Sequence, residues 1–174
     1  MPKDIIVVGT SAGGIEALRV LVSALPEDLA ASVFVVLHTS PESPGMLAGI
    51  LDRFGHLPAT TANDGERIRP GRIYVAPPDR HLLIEPGLRR TTRGPKENRF
   101  RAAVDPLFRA AAQPYGPRVI GVVLMGYLDD GTAGPADPIG VEAGRLVTLD
   151  DRDRSGVPHL GDGPLEQGGL ARAR

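Results

Sequence analysis

The chain has 174 residues, 41% of them hydrophobic, which suits one domain with a real core. A net charge of −1 gives no overall electrostatic footprint for nucleic acid, and the absence of cysteine excludes disulfides, thiolate metal sites and a cysteine nucleophile. The N-terminal stretch MPKDIIVV holds four consecutive apolar residues, far short of a signal-peptide core or the roughly 20 that span a bilayer. The composition therefore reads as a cytoplasmic protein without membrane insertion.

In chain order, Ile5 to Val8 is a β-branched run of the kind buried on both faces of a parallel sheet. Ile15, Leu18, Val22 and Leu25 then recur at helical spacing until Pro26. A second strand is expected at Ser32 to Leu37, followed by a helix capped at Ser43-Pro44 and carrying Met46, Leu47, Ile50, Leu51 and Phe54. Two successive strand-helix units imply an α/β fold, doubly wound, with a mainly parallel sheet in a single domain. The stretch RIYVAPPDRHLLIEPG predicts an inserted β-hairpin around Pro77-Pro78-Asp79 on the sheet edge, and the six basic residues of 88–101 predict an exposed, solvated loop. AVDPLFRAAAQ predicts a helix beginning at Asp105-Pro106, and Arg118 to Gly126 the last strong buried strand.

Residues 131–174 contain nine Gly and four Pro, a density that predicts an unpacked, divergent tail from about residue 135. A strand from Arg145 to Leu149 is the one element the pattern still offers there. The sequence thus divides into a folded region, 1–134, and a tail, 135–174.

The turn after the first strand, GTSAGG, fits two chemistries. Gly9 and Gly14 suit the outer positions of a dinucleotide-binding turn, but Ser11 occupies the middle one, and no lysine follows as a phosphate-binding loop requires. Gly9-Thr10-Ser11-Ala12-Gly13 equally satisfies Gly-x-Ser-x-Gly, which lifts a serine hydroxyl above a sheet. Ligands of doubly wound sheets sit at the carboxyl ends of strands, where this chain places Ser11, His38 and Asp129 or Asp130. A serine needs a base to attack and a base needs a carboxylate to hold its tautomer, so the three form a candidate nucleophile, base and acid. Each has a plainer alternative: Ser11 as a helix cap, His38 as a buried hydrogen-bonded histidine, Asp130-Gly131 as a turn. His56, His81 and His159 read as surface or edge residues, and no spacing of His, Asp or Glu suggests a metal. Neither cofactor nor metal is expected.

Taken together, IIVVGTSAGG, VVLHTSPESPGML, ANDGERIRPGRIYVAPPDRHLLI, VDPLFRAAA and GVVLMGYLDDG resemble, in order, the catalytic domain of the CheB protein-glutamate methylesterases over about residues 4 to 134. The resemblance implies a serine hydrolase that removes methyl esters from methylated glutamates on the cytoplasmic helices of methyl-accepting chemoreceptors, with glutamine deamidation in some members. It places the nucleophile on Ser11, the base on His38 and the acid on Asp130, and the oxyanion donors near Ala12 and Tyr127. Tyr127 and Leu128 replace the Met and Gly of the family's Gly-Met-Gly-x-Asp-Gly motif, and Ala12 replaces a frequent threonine. Past Gly134 the blocks stop matching, as a truncation or shifted frame would produce. The chain starts three residues before the first strand, which implies no receiver domain in cis and control by a separate signalling or receiver protein. The alternative is a non-enzymatic, degenerate homologue that binds a receptor or signalling partner.

Overall fold

The computed structural model describes residues 2–125 and the backbone of a strand at 144–150. Six strands form a parallel sheet in the order β3-β5-β2-β1-β8-β9: β1 is Ile5–Thr10, β2 Ser32–Leu37, β3 Ala59–Thr61, β5 Arg72–Val75, β8 Val119–Met125 and β9 Gly144–Asp150. A smaller antiparallel sheet contains β4 (Glu66–Arg67), β6 (His81–Glu85) and β7 (Leu88–Thr92), in the order β4-β7-β6.

The apolar runs at Ile5 and Ser32 form central strands because both faces of the sheet are covered. All six residues of β2 are buried. Val33 and Val35 point into one core with Leu18 and Val22 of α1 (Ile15–Ser23) and Ala48 and Leu51 of α2 (Leu47–Phe54). Phe34 and Val36 point into the other with Leu107, Phe108 and Ala111 of α3 (Val104–Tyr115) and Leu82 and Ile84 of β6. Helices on both faces make the sheet doubly wound, as expected. The chain leaves β1 toward β2 on one side, while β8 pairs on the other, so the topological switch point lies between β1 and β8.

Three expectations need correction. The hairpin does not turn at Pro77-Pro78-Asp79: β5 is inserted parallel between β3 and β2, and that turn carries the chain out of the main sheet. The hairpin is β6-β7, closed at Pro86-Gly87 with Gly87 at φ 73°, where a side chain would be strained. Residues 88–92 are therefore strand rather than loop, and alternation buries Arg89 and Thr91 between more exposed neighbours. Third, α2 starts at Leu47 instead of Ser43-Pro44, since Gly45 at φ 68° breaks helical geometry between them. Helix α3 begins at Val104, one residue before the expected Asp105, with Pro106 in the first turn where its missing N–H costs nothing.

The strand expected at Arg145–Leu149 is β9, paired with β8 from Val119↔Gly144 to Met125↔Asp150. Asp129, Asp130, Tyr127, Leu128 and His159, and the rest of the region read as a tail, lie outside the described residues.

Candidate active site

Ser11 directly follows β1 and His38 directly follows β2. The register pairs Thr10 with Leu37 and with Leu124, so Ser11 and His38 leave adjacent parallel strands at the level of Met125, the last residue of β8. Such strands are about 4.8 Å apart. The His38 N–H donates to the Thr10 carbonyl at 2.9 Å, extending the ladder by one step and tying the two residues' backbones together.

Ser11 has extended geometry (φ −89°, ψ 172°) before a single 3-10 turn, Ala12–Gly14, that leads into α1. Its carbonyl accepts from the Gly14 N–H at 2.9 Å and from the Thr10 hydroxyl at 3.2 Å, so the turn is braced through Ser11's backbone. Its hydroxyl makes no capping bond, so the helix-cap alternative has no geometric support. The flanking glycines owe their place to close approach. A Cβ on Gly14 would stand 1.9 Å from Thr10 Oγ1, and one on Gly9 would stand 2.4 and 2.7 Å from the two methyls of Val104, at the start of α3.

The His38 ring stacks on Phe100 with centroids 4.1 Å apart and planes 3° from parallel. Its Nε2 is buried and has no hydrogen-bond partner among the described residues. Burial pushes the imidazole below its ordinary value near 6.5, against a smaller opposing pull from the Asp105 carboxylate. Near neutral pH the ring is thus uncharged, which is the state a general base requires. Among the described residues His38 Nε2 has no partner that would make it the hydrogen-bonded core histidine of the plainer alternative.

Sequence reasoning missed the support of this base. Phe100 sits in the basic stretch read as solvated, and no periodicity marked it. His81, read as a surface or edge residue, is 3% exposed. Its Nε2 meets the Pro95 carbonyl at 2.8 Å and its Nδ1 accepts from the Ala103 N–H at 3.3 Å, which assigns the ring proton to Nε2. The β6 histidine therefore pins both ends of the segment that carries Phe100. Arg101 adds a second tie, its Nε donating to Asp79 at 2.8 Å and its guanidinium to the Gly94 carbonyl at 2.9 Å. His56 is exposed, as expected. Among the described residues no three His, Asp or Glu side chains converge as a metal-ligand group, and no helix is long and apolar enough to cross a membrane.

A doubly wound parallel sheet with a serine and a neutral, partly buried histidine at the carboxyl ends of adjacent strands defines a candidate serine-hydrolase site on an α/β domain. Comparison with known proteins makes that class particular. The family model for CheB methylesterase matches residues 6–169, continuing past Gly134, where the block-by-block resemblance ends. The chain is 34% identical over 169 residues to the protein-glutamate methylesterase/protein-glutamine glutaminase 2 of Anaeromyxobacter dehalogenans, covering 97% of this chain and 49% of that one. It is 36% identical over 181 residues to the protein of the same name from Caulobacter vibrioides, covering 99% and 50%. The crystal structure of the Thermotoga maritima CheB methylesterase catalytic domain matches with a TM-score of 0.67 at 35% identity, over 76% of this chain and 72% of that one. The chain belongs to the CheB methylesterase family, and it spans about half the length of these curated relatives.

Proposed function

We propose that this domain is a serine hydrolase that cleaves methyl esters of methylated glutamates on chemoreceptor cytoplasmic helices, acting in the cytoplasm in chemotaxis-type signalling. The observation that carries the reading is the placement of Ser11 and a neutral His38 at the ends of adjacent strands, in a chain of the CheB methylesterase family. Ser11 Oγ attacks the ester carbonyl as His38 Nε2 takes its proton. The tetrahedral intermediate collapses with the proton passing to the departing methoxide, so methanol leaves and an acyl-enzyme remains. Water, deprotonated by the same nitrogen, releases free glutamate and restores Ser11. Asp130 is assigned the role of orienting His38, and the backbone N–H groups of Ala12 and Tyr127 that of receiving the oxyanion. A separate signalling or receiver protein is the proposed source of control, and no cofactor is assigned.

The test is methanol release from methylated receptor fragments. Ser11→Ala is expected to lower the rate at least 10³-fold while leaving stability within about 0.5 kcal/mol, because among the described residues the hydroxyl makes no capping bond. Equal rates for variant and wild type refute the assignment. Receptor association without turnover by the wild type would select the non-enzymatic alternative. Ammonia release from receptor glutamines would extend the activity to the second function in the relatives' names.

A further inference from the structure

The net charge of −1 conceals a local imbalance on the far side of the sheet from the switch point. Between the β3-β5 edge of the main sheet and β4-β7 of the small one lies a cavity of about 460 Å³. Four arginines line it, Arg67, Arg69, Arg72 and Arg89, against one carboxylate, Glu66. Neutral donors come from Asn63 and from the hydroxyls of Thr60 and Thr61. The volume lies within the roughly 300–1,000 Å³ typical of small-molecule sites.

Arg89 makes this more than a solvated basic surface. Its side chain is 7% exposed, and its guanidinium lies over the Tyr74 ring, 4.2 Å from the centroid. One terminal nitrogen pairs with Glu66 and the other donates to the Arg67 carbonyl, but Nε is buried with no partner among the described residues. Glu66 offsets this one guanidinium, so the cavity keeps an excess of positive charge that an oxyanion would balance. The base of the site is also held firmly: the Tyr74 hydroxyl accepts from the Arg69 N–H at 3.0 Å, fixing the loop that carries Arg69. Arg67, Arg69 and Arg72 form no ion pair among the described residues, so three further guanidiniums border the cavity without a carboxylate of their own.

We propose that this cavity is a binding site for a small anionic molecule bearing phosphate or carboxylate groups, distinct from the ester-cleaving site. Guanidiniums recognise both oxyanions through paired N–H donors. In the strand order, β2 separates β5 from β1, so the cavity's nearest strand lies about 10 Å across the sheet from the strand that ends at Ser11. Nothing in the inference depends on the hydrolase assignment.

The experiment is calorimetric titration of the full chain with pyrophosphate in one arm and citrate in the other, at constant ionic strength, alongside ¹⁵N chemical-shift mapping. At least one arm should saturate below 1 mM, with the largest amide shifts at 60–74 and 89. The pair Arg67→Gln/Arg72→Gln, one exposed and one half-buried, should weaken that binding tenfold or more, whereas Arg53→Gln on α2 and Ser11→Ala should leave it unchanged. Preference for pyrophosphate assigns a phosphorylated ligand, and preference for citrate a polycarboxylate. Absence of saturation in both arms overturns the proposal, as does an equal loss in Arg53→Gln. If the double variant fails to fold, the wild-type shift map decides, and shifts confined to other regions overturn it.

Discussion

Gly9 offers the sharpest test of how the site is built. It is the fifth of the six residues of β1, beside the start of α3, and an added Cβ would meet the Val104 methyls at 2.4 and 2.7 Å. Ordinary contact begins at 3.4 Å, so Gly9→Ala leaves the nearer pair about 1 Å too close. Val104 packs against the core on the face shared by Phe34 and Leu107, and β1 is paired on both sides, so neither partner can retreat freely. Overpacking of this kind costs about 1–3 kcal/mol, partly offset by about 0.4–1 kcal/mol from the lower chain entropy of alanine when unfolded. Val104→Ala alone removes both clashing methyls from a half-buried site and should cost about 1–2 kcal/mol. In the double variant the clash is gone, so its cost should approach that of Val104→Ala, with a coupling of about 0.5–3 kcal/mol in favour of the pair. Urea unfolding monitored by circular dichroism measures all four corners of the cycle. Additive costs, or a Gly9→Ala variant as stable as wild type, would refute the close-approach explanation.

Other outcomes follow from the support of His38. Phe100→Ala should open the imidazole to water and relieve the burial that holds its pKa down, moving the acid limb of kcat/KM to higher pH; an unmoved limb would show that Phe100 does not shield the base. Because the folded-state pKa is below the ordinary 6.5, His38 adds no pH dependence to stability above that value. As pH falls through 6.5 the unfolded chain takes up the proton first, so stability declines until the folded pKa is passed, and Phe100→Ala should flatten that decline in unfolding measured between pH 7 and 5. His81→Leu should cost about 1–3 kcal/mol in denaturant unfolding, since it strands the Pro95 carbonyl and the Ala103 N–H, and should slow ester hydrolysis by loosening the Phe100 segment. A variant with wild-type stability would remove His81 from that role.

The parts of the fold that could be read from the sequence are those where one local pattern has one outcome. Ile5 to Val8 and Ser32 to Leu37 are too uniformly apolar for anything but central strands, and their ends place Ser11 and His38. Between 72 and 92 the two expected strands form, but their partners and the place of the hairpin turn differ, because both depend on distant segments. Nothing in RIYV says that it inserts between β3 and β2, and Arg89 looks solvated until Tyr74, fifteen residues earlier, comes beneath it. The ring contact between Phe100 and His38 joins positions 62 residues apart, and no spacing rule reaches that far. Gly9 and Gly14 fit the spacing of a ligand-binding turn, yet in the fold both serve closeness to a neighbour, at Val104 and Thr10.

The strand order also has a consequence for how the chain is made. Strand β1 pairs on one side with β2, which emerges soon after it, but on the other with β8, and the Asp4–Arg118 contact at the start of that seam spans 114 positions. At about 5–20 residues per second, a ribosome takes roughly 6–23 s to deliver the second neighbour. Throughout that interval the strand leading to Ser11 presents an open, apolar edge, the kind that recruits other chains. Slower translation across residues 60–118 should therefore raise the aggregated fraction of newly made protein, a vulnerability that the finished sheet, with β1 paired on both sides, does not reveal.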